Sequence, residues 1–363
     1  MPSIQIEAID TLFFRDGKPF SMGDDNMATG IFPPPPSVLY GALRTQYFAQ
    51  NPDKLSYANT PDDPSSQLQL KGVFLKSGRI LLPLPKDMVV GEENEEKPTP
   101  TFLTIMDKPP LSNASTPKIL GLSKSQKAKD GQYVLSMSSW KDKYAKGCAD
   151  FIPTELSHYL TTETKIGIGR NRDQRTVQEG HLYRLTLQRL EGKFDLRYPD
   201  EPKRLYICAD YEGLELNENQ LARYGGEHKI IRTNPTDSIE IGCPDVKGDT
   251  FKIYLATDAI FESGWQPKEL LQQHGLELIT CALGKYVNVG GFDMKANKPK
   301  PMYRCVPAGS VYYVKAENEQ KAQEAAQAIH YTCISDLKTD KFDAARQGFG
   351  LALIANFNAD KQR

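Results

Sequence analysis

Apolar and polar residues alternate from Ser3 onward, with Ile4, Ile6 and Ala8 set against Gln5 and Glu7. This is the period of a strand with one face on a core. The strand runs toward FFRDGKPF, where Asp16-Gly17 marks a turn. Pro33 to Pro36 follow, and such a run brings the chain in extended because no helix interior accepts it. Ser37 is placed to cap a helix over SVLYGALRTQYFAQ. KGVFLKSGRILLPL, from Lys71 to Leu84, reads as a hairpin turning at Ser77-Gly78. Between about residues 86 and 131 the pattern gives way to prolines, GEENEEK and SKSQKAKDG. This polar insertion reads as a set of loops, and deleting about Glu92 to Lys129 is expected to leave the fold intact.

Aromatic character returns at Trp140, Tyr144 and Phe151 and leads into KIGIGRNRDQRTVQEGHLYRL, a long hairpin hinged at Gly167 and Gly169. Arg184 to Leu190, Lys203 to Tyr211 and HKIIRT are strand-like, and Asn217 to Arg223 fits a short helix. In the last third the order is plainer. It runs strand FKIYLATDAIF, helix PKELLQQHG, strands LELITCALGKYVNV and YRCVPAGSVYYVK, helix ENEQKAQEAAQAIHYTC, strand FGLALIANF. That βαββαβ order is the ferredoxin-like, RRM-like unit. The first two-thirds repeat it more loosely. The expected fold is α+β with two such domains. Residues 1–240 carry the insertion (about 86–131) and the hairpin (about 162–186), and residues 241–363 carry a glycine-rich loop.

Charge restricts the choice of partners. The 363 residues sum to a net charge of −1, whereas a free-standing nucleic-acid binder is usually basic overall. Any RNA site is therefore a local patch. The six cysteines are scattered without a CxxC pair, which gives no zinc cluster and no disulfide framework. The N-terminus lacks a basic region followed by an apolar run, and no apolar stretch approaches a membrane span. A cytoplasmic location with reduced thiols is expected, and no membrane partner.

Chemistry-bearing residues concentrate in three places. The hairpin carries Lys165, Arg170, Arg172, Arg175 and Arg184, and guanidinium forks on a projection suit phosphate oxygens. A solvated surface hairpin accounts for the same charges equally well. Arg44, one turn past Gly41 in the first helix, could reach a phosphate laid against it. Gly348-Phe349-Gly350, after Arg346, would let a backbone approach closely and offer N–H groups, or simply join helix to strand. GIGRNR lacks the third glycine of a dinucleotide fingerprint and no P-loop occurs, so no cofactor is expected. Asp24-Asp25 and the acidic run Glu92 to Glu96 lack an ordered ligand pattern and are expected to be solvated, with no metal. The five histidines lie far apart and none is on the first helix, a poor arrangement for general acid–base work.

Several motifs occur in one order along the chain. They are LFFRDGKPF, FPPPPSVLYGALR, KIGIGRNRDQRTVQEGHLY, GGEHKI, NVGGFDMKANKPKPMYRCVPAGSVYY and RQGFGLALI. In that order they resemble the RAMP-superfamily proteins that form the third subunit of the Cmr effector complex of type III-B CRISPR systems. The resemblance spans nearly the whole chain outside residues 86–131, with Phe292 where a tryptophan is expected. It implies two ferredoxin-like RAMP domains, no intrinsic nuclease activity, and a place at the base of an RNA-guided antiviral complex. It also implies that Arg44, Lys165, Arg170, Arg172, Arg175, His181, Arg346, Gly348, Phe349 and Gly350 meet the crRNA near its 5′ tag. The implied partners are the crRNA, the large polymerase-palm-like subunit, the first subunit of the backbone filament and, indirectly, target RNA. Two other functions compete: a metal-independent endoribonuclease that processes CRISPR precursor RNA, and a scaffold that touches only protein.

Overall fold

Two large antiparallel sheets organise this mixed α/β chain. The computed structural model describes residues 1–15, 27–28, 30–91, 99–122, 127–171, 173–174, 176–192, 204–293 and 298–357. Its first half contains β1 (Ser3–Ala8), α1 (Pro36–Gln50), β2 (Gln69–Ser77), β3 (Arg79–Pro83), β4 (Tyr133–Ser136) and β5 (Thr154–Glu155). These are followed by β6 (Thr161–Arg170), β7 (Val177–Arg189), β8 (Tyr206–Glu212), β9 (Gln220–Arg223) and β10 (Ile230–Pro235). Eight of the strands form one sheet in the order β5-β4-β3-β2-β8-β1-β10-β9. β1 lies inside that sheet, antiparallel to β8 and to β10. Its buried Ile4 and Ile6 meet Leu39, Leu43 and Tyr47 of α1 in one core, as the alternation requires. The turn between β2 and β3 falls at Gly78, whose φ of 65° suits glycine.

Two details differ from the sequence reading. α1 begins at Pro36 with Pro35 at the cap position and no side-chain cap. Ser37 is therefore not the cap. A proline in the first turn has no N–H to satisfy and its φ is preset for a helix. Asn217 to Arg223 is not a helix: Asn219 turns the chain at φ 54°, and β9 follows as an edge strand on β10.

The second half contains β11 (Thr250–Leu255), α3 (Lys268–Gln273), β12 (Glu277–Ala282), β13 (Val287–Val289), β14 (Tyr303–Cys305), β15 (Val311–Lys315), α4 (Glu319–Ile329) and β16 (Leu351–Asn356). Here α2 is the short helix Met137–Asp142 of the first half. The sheet order is β12-β15-β11-β16, with Thr332–Cys333 added on the outer edge. Ala322, Ala325, Ala326 and Ile329 of α4 are buried with Phe251 and Ile253, the helical spacing that places one face on a sheet. The Asn318 side chain accepts from the Lys321 N–H and caps α4. The two long strands expected on either side of residue 295 are each broken. β12 and β15 stay in the sheet, while β13 and β14 pair with each other as a separate hairpin.

The insertion contains paired strands where the sequence reads as loops. Met88–Val90 pairs with Pro100–Phe102, and Thr104–Asp107 pairs with Lys118–Gly121. Met88 and Val90 are buried, and Phe102 stacks on Tyr144 at 5.7 Å. This gives the C-terminal sheet a cover on both faces. Phe251, Ile253 and Leu255 pack under the helices, and Tyr254, Tyr313 and Leu353 face Trp140, Tyr144 and Met88.

On that second face lies a buried ion pair. Lys252 Nζ sits 2.9 Å from Asp87 Oδ2, with both side chains wholly inaccessible to water. The hydroxyls of Tyr144 and Tyr313 donate to the same carboxylate at 3.0 and 2.7 Å. The ammonium lies over the rings of Phe102, Tyr313 and Tyr144, 4.5 to 5.1 Å from their centroids. Burial pushes the Lys252 pKa down, and Asp87 opposes it. The pair joins the start of the insertion to a central strand of the C-terminal sheet.

Candidate nucleic-acid interface

The hairpin expected over about residues 162–186 forms as two paired strands. β6 and β7 pair from Thr161↔Arg189 out to Arg170↔Val177, with an irregularity between Ile168 and Arg170. At its base Leu185 and Leu187 are buried with Phe13, and Met27–Ala28 runs parallel to β7 at Arg184–Leu185. Gly225 lets the next loop close on this base. A Cβ there would stand 2.4 Å from the Phe13 carbonyl oxygen, and φ is 77°. Farther out, Lys165, Ile166, Ile168 and Arg170 are all exposed. Lys165 reaches back to Glu227 at 3.2 Å, which fixes the stem against the Gly225-Gly226 turn and leaves Arg170 and Arg184 outward. Arg172 and Arg175 lie outside the described residues, as do Asp24-Asp25 and Glu92 to Glu96. His181 is within β7, its side chain outside the described set.

The other predicted residues form a second cluster around α1. Arg44 is held by its own chain: Nη2 contacts Asp63 at 2.6 Å and Asn59 at 3.2 Å, and Nε donates to Ser65 at 2.7 Å. Burial pushes Asp63 up. The Ser65 hydroxyl, the N–H groups of Asn59 and Ser65, and Arg44 outweigh this and hold its carboxyl below the usual range. Arg346 comes to the same turn, donating to the Ser66 carbonyl at 3.1 Å. Between the two arginines stands Tyr40, whose hydroxyl burial pushes up in pKa while Arg44 and Arg346 pull it down. Sequence reading missed Tyr40. Its i, i+4 spacing to Arg44 was the available signal, and the Arg44 guanidinium lies 6.0 Å from its ring centroid.

The Gly348-Phe349-Gly350 loop does not offer N–H groups to a ligand. The N–H groups of Gly348, Phe349 and Gly350 donate to the carbonyls of Ala345, Ala344 and Asp258. Phe349 is wholly buried beside Val289, Cys305 and Ala344. A Cβ on Gly348 would crowd Leu70 and Pro36 at 3.1 and 3.3 Å. The glycines thus bring the loop against the start of α1 and β2. A groove of about 740 Å³ runs alongside, lined by Pro33, Lys86, Tyr133, Gln188, Asp258 and Val287 among others. Among the described residues no group of three or more His, Cys, Asp or Glu side chains could hold a metal ion. Among them, too, no helix is long and apolar enough to cross a membrane.

A family model described as a CRISPR-associated protein, Cas_Cmr3, matches residues 4–357. The chain belongs to the Cmr3 family. That family is part of the type III-B CRISPR effector complex, and the matched span takes in every motif described above. Two cryo-EM structures of type III-B Cmr-beta contain a similar chain, one bound to cognate target RNA and AMPPnP and one to cognate target RNA. In each, identity is 16%, the TM-score is 0.49, and 86% of both chains is covered. A chain in the crystal structure of the Csm3-Csm4 subcomplex of the type III-A interference complex is similar over 99% of this chain and 100% of its own, at 12% identity and a TM-score of 0.39. A search of the curated proteins finds no match.

Proposed function

We propose that this Cmr3-family chain is a non-catalytic, cytoplasmic RNA-binding subunit. In this reading it holds the crRNA 5′ tag and bridges the large subunit to the backbone filament. Its two sheets, divided near residue 240, are ferredoxin-like RAMP units. The strand orders β10-β1-β8-β2 and β16-β11-β15-β12 support that division, with β9 standing where the first unit would carry its second helix. The observation that carries the functional reading is the ribbon of β6 and β7, with Arg170 and Arg184 exposed on it and its base anchored by Phe13, Leu185 and Leu187. An endoribonuclease would need a general base. His330 does not supply one, because Nε2 faces the Ile241 carbonyl and Nδ1 accepts from the Ile354 N–H.

The test is tag-RNA binding by the assembled complex across a salt series. Replacing Arg170, Arg172 and Arg175 by alanine removes up to three phosphate contacts. This should flatten the slope of log affinity against log salt by about 2, at about 0.7 per phosphate on a single strand. Unchanged affinity and slope would make the ribbon a protein-docking element. Specific cleavage of repeat RNA in EDTA would establish the nuclease instead.

A further inference from the structure

β13 and β14 form a second hairpin, and its two faces differ in a way that calls for a ligand. The strands pair Val287↔Cys305, Asn288↔Arg304 and Val289↔Tyr303. One face is anchored: Val289 and Cys305 are buried with Phe349 and Ala344, and Tyr303 stacks on Phe342 at 5.1 Å. The buried Gly348-Phe349-Gly350 loop is therefore the floor on which this hairpin rests. The other face carries Tyr286, Arg304 and Met302, with Phe292 farther along. Tyr286 is 51% exposed, Phe292 45% and Met302 49%.

A solvated strand face carries Ser, Thr and mixed charges. This one carries aromatic rings and cations, with Asn288 opposite Arg304. From Lys285 to Cys305 the sequence has five cations (Lys285, Lys295, Lys298, Lys300 and Arg304) against one carboxylate, Asp293, in a chain of net charge −1. Lys285, Lys298, Lys300 and Arg304 are exposed, and none has an ion-pair partner among the described residues. The Arg304 guanidinium lies 5.1 Å from the centroid of the Tyr286 ring. A flat cation beside an exposed ring, flanked by lysines, is the arrangement on which an unpaired base stacks while its phosphates are neutralised.

We propose that the exposed face of β13 and β14 is a second single-stranded RNA site, with Tyr286 and Arg304 as a stacking platform for one unpaired base and Lys298 and Lys300 on the adjoining phosphates. The proposal rests on the reading of the chain as a guide-RNA subunit and adds a contact beyond the residues expected above to meet the crRNA.

The experiment uses the full chain and a fluorescein-labelled 12-nucleotide single-stranded RNA, titrated across a salt series. It is repeated by crosslinking in the assembled complex with 4-thiouridine in the guide. Tyr286→Ala and Arg304→Ala should each weaken binding about tenfold, the size of losing one stacked base, with melting temperature unchanged. Tyr286→Phe should retain affinity, because the ring and not the hydroxyl does the stacking. The double variant Lys298→Gln with Lys300→Gln should flatten the salt slope by about 1.4. Wild-type affinity in both Tyr286→Ala and Arg304→Ala overturns the site. If Arg170→Ala still weakens binding, the proposed function survives that result; if no variant of either hairpin matters, both readings fall. Unchanged RNA binding with loss of a neighbouring subunit on pull-down also overturns it and makes the hairpin a protein contact.

Discussion

Removing one partner of the Asp87–Lys252 pair should destabilise the protein far more than removing both. The two side chains are wholly buried, 2.9 Å apart, and every oxygen of the carboxylate is engaged by Lys252, Tyr144 or Tyr313. Lys252→Met leaves a carboxylate in an apolar interior with only two hydroxyl donors. Asp87→Leu leaves an ammonium with nothing but aromatic faces. Breaking a buried pair in this way costs about 3–5 kcal/mol, whereas replacing both partners by apolar groups of similar volume is often near neutral. At about 2.1 cal/mol/K of unfolding entropy per residue, a 363-residue chain unfolding as one unit would lose about 4–7 °C in either single variant. The double variant should return to within about 2 °C of wild type. The assay is calorimetry with a double-mutant cycle, the coupling energy being read from the four melts. A second readout is the number of transitions, because the pair ties the insertion to the C-terminal sheet. The single variants should split or broaden the endotherm. If Lys252→Met costs less than about 1 kcal/mol, or if the single-variant losses simply add, the charges are not coupled and the argument fails.

Two further outcomes follow from other buried groups. Burial holds His330 below its ordinary value, so the unfolded chain takes up the proton first as pH falls past about 6.5. Stability is complete above that pH and declines below it, by up to about 1.4 kcal/mol per pH unit. Melting temperatures between pH 7.5 and 5.5 should show this decline in the wild type and a shallower one in His330→Gln; equal slopes would refute it. Gly350→Ala places a methyl group 2.6 Å from Ser335 Oγ at a φ of 78°. It should cost about 1–3 kcal/mol in urea denaturation without changing RNA affinity of the folded protein, and wild-type stability would contradict it.

Much of the framework was legible because it rests on local periodicity. Ile4 and Ile6 announced β1, and the alternation of strand and helix after residue 250 recurs in β11 to β16, although the two middle strands are each broken. What escaped the sequence depended on distant partners. Lys252 looks like a polar outward position in FKIYLA, between two core residues, and that inference assumes a sheet with one wet face. Here the second face is covered by residues from 87 to 144, so the lysine is interior. Arg44 was read as free to reach a phosphate because its acceptor, Asp63, belongs to a polar stretch with no pattern to mark it. Gly348 and Gly350 correctly reported unusual backbone, but glycine spacing says nothing about what fills the adjoining space. Here that is Leu70, Pro36 and Ser335, not a ligand. The insertion was read as dispensable because its apolar residues come in runs too short for any periodic signal.

The ribbon of β6 and β7 has a thermodynamic consequence for assembly. Beyond the point where Met27–Ala28 pairs with β7, the two strands pair only with each other among the described residues, and Ile166 and Ile168 stand 60% and 48% exposed on the outer part. An unsupported two-stranded ribbon is at best marginally stable in water. The free energy of holding it straight is therefore supplied by whatever finally covers it, and is subtracted from the observed affinity. Stiffening the ribbon by a better cross-strand pair at Ile166 and Arg184 would strengthen the assembly without adding one atom of contact. The affinity of any partner for the ribbon is thus set partly by how ordered the subunit is before it meets anything.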